Sequence, residues 1–276
     1  MRRLLAPLVL VATAALAVGA CGYFQGDVGP YRTPAYYEPI EAAAGATPFD
    51  RGRQLYLRDC AFCHADDGKG TEDGPDLTVG TNGGALTDFV LRTGRMPVEE
   101  PPEQMRPREP VYDDEQIAAV VEYVTKQFHP PGPEVPHVPP SGGDVAEGQQ
   151  VYAEHCAACH ATTGIGGAML LHPRRGESKT RGIVIPDFKH SDAQAVAEAV
   201  RTGPGSMPVF NTRAISDHQL EALVAYTNYL KDPDDEGGAP IGRVGPVVEG
   251  AVGWFLGLGI LMLFIRWIGT KAGEQP

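Results

Sequence analysis

Cys60-Ala61-Phe62-Cys63-His64 is answered further along the chain by Cys156-Ala157-Ala158-Cys159-His160. C-x-x-C-H is the attachment sequence of a c-type haem. Two cysteines three apart share one side of a helical turn, so both sulfurs can form thioether bonds to the vinyl groups of one haem. The histidine that follows presents its imidazole to the iron as proximal ligand. Two C-x-x-C pairs could instead build a four-cysteine zinc site or a redox dithiol. Neither explains a histidine after each pair. Cys60, Cys63, Cys156 and Cys159 therefore read as attachments for two covalently bound haems, and His64 and His160 as iron ligands.

The repeat extends outward from these motifs. Gly52, Gln54 and Tyr56 recur as Gly148, Gln150 and Tyr152, all displaced by 96. Arg92-Thr93-Gly94 recurs as Arg201-Thr202-Gly203, and Met96-Pro97-Val98 as Met207-Pro208-Val209. Asp114, Gln116 and Tyr123 recur as Asp217, Gln219 and Tyr226. Two domains of one kind are expected, at 47–128 and 144–231, in a mainly α chain. Between them 129–143 holds six prolines, a stiff extended spacer. Its histidines, His129 and His137, read as solvated.

Within the first domain, Thr47-Pro48 opens a helix, with Thr as N-cap and Pro in the first turn. Phe49, Leu55 and Tyr56 can share its buried side. Leu86 to Arg92 reads as a short helix ended by Gly94. Asp113 to Phe128 reads as a helix capped by Asp113 or Asp114, with Ile117, Val120, Val121 and Val124 as its apolar stripe. Leu220, Leu223, Val224 and Leu230 form the matching stripe in the second domain. That domain carries 13 extra residues between its haem motif and its Arg-Thr-Gly. The insert holds Arg174, Arg175, Lys179 and Arg181, either a solvated loop or a basic contact with a propionate or an acidic partner. His155, His172, His190 and Met169 are spare potential ligands.

These phrases in this order resemble class I c-type cytochromes. The resemblance implies that Pro75, soon after the motif, accepts a hydrogen bond from the proximal histidine and fixes its ring. It implies methionine as sixth iron ligand in an extended Met-Pro loop, which raises the haem potential. Met96 fits that place, with Met105 as rival and core packing as the plain alternative. Met207 fits it in the second domain. The resemblance also has the last helix of a domain cross the first at a glycine, and Gly52 supplies it. Two His/Met irons leave no open position for a substrate, which points to electron transfer.

The ends of the chain concern the membrane. Arg2 and Arg3 precede an apolar run, Leu4 to Ala20, in the layout of an export signal over 1–20. Val18-Gly19-Ala20-Cys21 resembles a bacterial lipoprotein box, with Cys21 as the lipidated residue; an uncleaved anchor helix is the competing reading. Residues 21–46 are rich in proline, glycine and aromatics, a tether or a strap on a partner subunit. After a linker at 232–246, residues 247–268 form a transmembrane helix with Trp254 and Trp267 at its interfaces. Gly253, Gly257 and Gly259 give it a small-residue face. Arg266 near the end of the span and Lys271 after it put the C-terminus in the cytoplasm and both haem domains outside. The net charge of −12 excludes nucleic acid as a partner. It is uneven: 47–130 holds 16 acidic and 9 basic residues, 144–231 holds 9 and 8. The first domain is either a docking face for a basic partner or a solvated acidic surface.

Export signal, two haem domains and one membrane helix together resemble the dihaem cytochrome c subunit of the actinobacterial-type cytochrome bcc complex, a quinol–cytochrome c reductase. Thr93-Gly94-Arg95-Met96-Pro97, the insert through Pro110, and Gly203-Pro204 leading to Met207-Pro208-Val209-Phe210 carry the likeness, with Gly245-Pro246 and Glu249-Gly250 before the last helix. The resemblance implies a non-catalytic subunit that takes electrons from the Rieske iron–sulfur protein beside the cytochrome b subunit. It passes them toward a haem–copper oxidase. By analogy the first haem accepts and the second donates. Two alternatives stand beside it: a membrane-tethered shuttle akin to cytochrome c4, and a dihaem redox enzyme such as a peroxidase or thiosulfate dehydrogenase.

Overall fold

Helix α1 (Pro48–Asp59) brings the chain to the first haem motif in the computed structural model, which describes residues 45–98, 105–139, 142–171, 181–187, 191–234 and 250–272. The start of α1 is set by a reciprocal cap. The Asp50 N–H donates to Thr47 Oγ1 (3.1 Å) and the Thr47 N–H to Asp50 Oδ2 (3.3 Å). Pro48 fits the first turn because no partner is needed for its missing N–H. The motif itself is a single turn, α2 (Ala61–His64). Helices α3 (Gly84–Arg92) and α4 (Asp114–Phe128) complete the domain. Asp113 caps α4 in a second reciprocal box with Gln116, leaving Asp114 free to accept from Arg92 Nη1 at 2.9 Å.

α1 crosses α4 at Gly52, where a Cβ would overlap the Ala119 carbonyl and the Tyr123 side chain. The Tyr56 ring lies 5.3 Å from that of Tyr123 and 5.1 Å from that of Phe128. Leu55, Leu91, Ile117, Val120 and Val124 close the core around them.

The second domain repeats this plan with α5 (Val145–His155), the single-turn α6 (Ala157–His160), α7 (Ala193–Thr202) and α8 (Asp217–Tyr229). Gly148 meets the Ala222 carbonyl and Tyr226 as Gly52 meets Ala119 and Tyr123. Tyr152 and Tyr226 stand 5.3 Å apart, and Ser216 and Gln219 form the cap of α8. The insert is a hairpin at its base. β1 (Gly167–Leu171) pairs antiparallel with β2 (Arg181–Ile185), with Met169 opposite Ile183. The β-branched run Ile183-Val184-Ile185 suits that pairing better than the solvated loop expected. Arg174, Arg175, Lys179, His172 and His190 lie outside the described residues.

The proline-rich connection is extended but held to both domains. The Ala85 N–H donates to the Pro133 carbonyl (3.1 Å), Gln194 Nε2 to the Pro136 carbonyl (2.9 Å), and Val138 is buried in the second core. The two domains touch through α3 and α7, the helices that end in the same Arg-Thr-Gly phrase.

At the C-terminus a π-helical stretch (Gly253–Leu258) runs into α9 (Gly259–Ala272). Gly250–Thr270 has a mean hydropathy of 1.9 and is long and apolar enough to cross a membrane. Its large apolar side chains, Trp254 and Trp267 included, are exposed. Cys21, the leader 1–20, most of the tether and most of the 232–246 linker fall outside the described residues.

Candidate functional site

Each haem motif is fixed by backbone bonds that recur almost unchanged. The Cys60 N–H donates to the Tyr56 carbonyl (2.8 Å) and the His64 N–H to the Cys60 carbonyl (2.9 Å); the Cys156–Tyr152 and His160–Cys156 bonds have the same lengths. Both cysteines of a pair therefore belong to one helical turn, with the histidine closing it.

The chain then turns sharply. Ala65 and Ala161 adopt φ of 59° and 62° with ψ of 163°, a region that costs a non-glycine residue about 1–3 kcal/mol. A buried tyrosine holds each turn. Tyr56 Oη donates to the Ala65 carbonyl (2.8 Å) and Tyr152 Oη to the Ala161 carbonyl (2.5 Å). The sequence repeat flagged both tyrosines without giving their purpose.

The turn folds the following loop back over the histidine. The Gly70 N–H donates to the His64 carbonyl (2.9 Å) and the Gly166 N–H to the His160 carbonyl (3.0 Å). His64 Nδ1 lies 2.9 Å from the Pro75 carbonyl, at the position the cytochrome resemblance implies. In the second domain His160 Nδ1 lies 3.4 Å from the Pro186 carbonyl. Pro186 escaped the sequence reading because the hairpin intervenes between it and His160. Its signal was the recurrence of Pro75-Asp76 as Pro186-Asp187. Burial lowers the pKa of His160, with the Pro186 hydrogen bond opposing, and neutral imidazole is the metal-binding form.

The thiols are poised differently from those of a redox dithiol. Burial pushes Cys60 up to about 12 and Cys156 up to about 11, the reverse of the depressed values that make a thiolate nucleophile. No grouping of three or more His, Cys, Asp or Glu suited to a metal ion occurs among the described residues, so the zinc reading has no donor set there. One cysteine pair and one oriented imidazole per domain fit a porphyrin-borne iron instead.

The methionine loops lie against the same cores as the motifs. Cys60, Leu77 and Met96 pack on the first core, while Met105 is half-buried outside that cluster. Cys156 and Met207 adjoin the second. Gly94 and Gly203, at φ of 61° and 62°, turn the chain from helix into loop. The Met96 N–H donates to the Val90 carbonyl and the Phe210 N–H to the Val200 carbonyl, both at 2.9 Å. Arg201 reinforces the second loop from beneath: its Nη1 donates to the carbonyls of Ile215 (2.7 Å) and Phe210 (3.0 Å), its Nη2 to Asp217 (2.7 Å). Of the spare ligands, Met169 is half-buried on β1 and the His155 ring stands 5.6 Å from that of Phe210.

Comparison with known proteins divides the chain at the same linker. Residues 49–127 match the family model described as Cytochrome c, and residues 143–226 the model described as Cytochrome C oxidase, cbb3-type, subunit III. The chain is 30% identical over 280 residues to the cytochrome bc1 complex cytochrome c subunit of Corynebacterium diphtheriae, covering 94% of this chain and 92% of that one. The subunit of the same name from Mycobacterium tuberculosis is 29% identical over 256 residues, covering 90% and 86%. A shorter likeness, 32% over 114 residues, joins 38% of this chain to 34% of a thiosulfate dehydrogenase from Stutzerimonas stutzeri. Two covalently bound c-type haems follow from the two domains and their cysteine pairs.

Proposed function

Since the chain belongs to the family of cytochrome bc1 complex cytochrome c subunits, we propose that it relays electrons through its two haems from a Rieske iron–sulfur protein toward a haem–copper oxidase. Membership of the family makes it an electron-transfer subunit of a membrane-associated bc1-type complex. The finer assignment adds direction and partners, with the cytochrome b subunit beside it. The observation that carries it is the match along 94% of the chain to a subunit of that complex, both haem domains included.

When bound, each haem supplies an iron that changes oxidation state by one electron. The protein holds the iron's surroundings still. His64 and His160 would hold the irons through the ring nitrogen left free when Nδ1 bonds the Pro75 or Pro186 carbonyl. Met96 and Met207 would supply thioether ligands, which raise a haem's potential. Tyr56 and Tyr152 lock the turn behind each motif. With a histidine and a methionine for each haem, a substrate would find no open coordination site, which favours electron transfer over a dihaem enzyme; the thiosulfate dehydrogenase likeness covers 34% of that protein.

The terminal helix anchors the chain with the haem domains on the extracytoplasmic side and Lys271 inside, in line with Arg266 near the end of the span and Lys271 beyond it. Cys21 is the lipid-bearing residue of the mature N-terminus. A C-terminally tagged protein purified from its native membrane in mild detergent tests the assignment. Co-purification of b-type haem, a Rieske protein and oxidase subunits is expected. Recovery of a lone c-type cytochrome, under conditions that keep other complexes whole, would favour the tethered shuttle.

A further inference from the structure

Glu198 is fully buried, on α7, where the domain contact forms. Counting back from the shared Arg-Thr-Gly phrase, its counterpart in the first domain is Phe89, an ordinary core residue. A carboxyl group in a phenylalanine's place needs partners. One oxygen, Oε1, accepts from Gln194 Nε2 at 2.8 Å, and Gln194 is itself pinned to the Pro136 carbonyl. The other, Oε2, is buried and receives no hydrogen bond from any protein donor. The Glu198 carboxyl lies within hydrogen-bonding reach of the Asp88 carboxyl on α3, in the other haem domain.

Asp88 is buried too, and it already has a cation as partner. Arg92 Nε donates to Asp88 Oδ1 at 2.7 Å, and Arg92 Nη1 reaches Asp114 at 2.9 Å and Asp192, the cap of α7, at 3.8 Å. Around Glu198 the charged groups are therefore Asp88 and Arg92 from α3, Asp114 from α4 behind Arg92, and Asp192 on its own helix. Lys231, beyond α8, adds a cation on the Asp192 side. One arginine is shared among three carboxylates and Lys231 lies on the Asp192 side, so among the described residues no cation is paired with Glu198. Two acceptor-only carboxylates cannot satisfy each other, whereas one proton between them makes a strong O–H···O⁻ bond.

We propose that Asp88 and Glu198 together hold one proton at neutral pH, making the contact between the two haem domains a proton-binding site that closes when the proton is bound and loosens when it leaves to water. The proton rides on Glu198 Oε2 and is donated to Asp88, whose carboxylate already accepts from Arg92 Nε. Burial, and next the charge of Asp88, hold Glu198 well above the ordinary glutamate range. The sign follows. Separated or unfolded, Glu198 ionises at about 4.3; in the closed contact it keeps its proton to higher pH. Opening therefore releases a proton, and the closed state loses stability by about tenfold per pH unit between those limits.

The test uses the full-length haem-loaded protein in detergent. Infrared titration is expected to show the carbonyl stretch of a protonated carboxylic acid at neutral pH, vanishing only on the alkaline side and absent from Glu198→Gln. That variant supplies an amide N–H to Asp88 in place of the proton. The unfolding constant of wild type relative to Glu198→Gln is expected to rise about tenfold per pH unit. Asp88→Asn, made in the other domain, is expected to move the band's titration toward the ordinary glutamate range, and it reports on the pair even if Glu198→Gln folds poorly. A wild-type spectrum without such a band at neutral pH overturns the proposal. So does a band that survives Glu198→Gln or ignores Asp88→Asn, or a stability ratio flat with pH.

Discussion

Arg201→Met removes a buried fork while keeping an unbranched side chain of similar reach. Arg201 is 7% exposed, and its three hydrogen bonds run to the Ile215 carbonyl, the Phe210 carbonyl and Asp217. Asp217 is 81% exposed, so that ion pair contributes only about 0–1 kcal/mol. The carbonyls matter more. Ile215 is fully buried, and leaving a buried acceptor without a donor costs about 1–3 kcal/mol. That loss at Ile215 and a smaller one at the half-buried Phe210 together give about 2–5 kcal/mol for the variant. For a domain of this size that corresponds to a fall in Tm of roughly 10–30 °C. Thermal unfolding of the full-length haem protein, followed by circular dichroism, measures it. Because Phe210 and Met207 share a loop, the absorption band of methionine-ligated ferric haem should weaken in the second domain well below the melt. Asp217→Asn is the control and should cost under about 1 kcal/mol. If Asp217→Asn destabilises as much as Arg201→Met, the ion pair rather than the carbonyl fork carries the effect. An unchanged melt for Arg201→Met would refute the reasoning outright.

Met207→Ala should lower the potential of one haem and leave the other largely unchanged in a redox titration; two normal high-potential haems would remove Met207 as a ligand. Gly52→Ala forces a methyl into the Ala119 carbonyl at the crossing of α1 and α4, and should destabilise the first domain by about 1–3 kcal/mol or more in denaturant unfolding. Gly250→Ala, where a Cβ meets nothing within 4 Å, should not. Cys21→Ala should abolish a lipid-sized mass on the N-terminal peptide of the purified protein. Detection of the uncleaved leader in the wild type would instead support the retained anchor.

Much of this arrangement was legible because duplication prints its own alignment. Gln116 and Gln219 recur since each closes a capping box, and Gly52 and Gly148 recur since only a hydrogen fits beneath the facing carbonyl. Asp114 and Asp217 recur since each receives the arginine of the Arg-Thr-Gly phrase. Three things resisted. The sequence left the cap of α4 open between two adjacent aspartates, and backbone geometry chose Asp113. Pro186 was displaced from the expected distance by the hairpin. The linker's proline content suggested a stiff, extended spacer and no contacts for it, yet proline carbonyls remain acceptors, and Pro133 and Pro136 use them to bind the two domains.

What a repeat cannot print is which face of each copy meets the other. Arg92 and Arg201 stand at equivalent places and share a tie to the first aspartate of the last helix. Beyond that tie they diverge. Arg201 turns its remaining donors inward to backbone carbonyls of its own domain. Arg92 turns to Asp88 and Asp192, carboxylates at the contact between domains. The same divergence replaced Phe89 by Glu198 at the matching position of the second copy. An apolar pair there would have joined the domains without any response to pH. The acid, the carboxylate and the arginine make the join depend on a proton, and they do so away from the haem ligands.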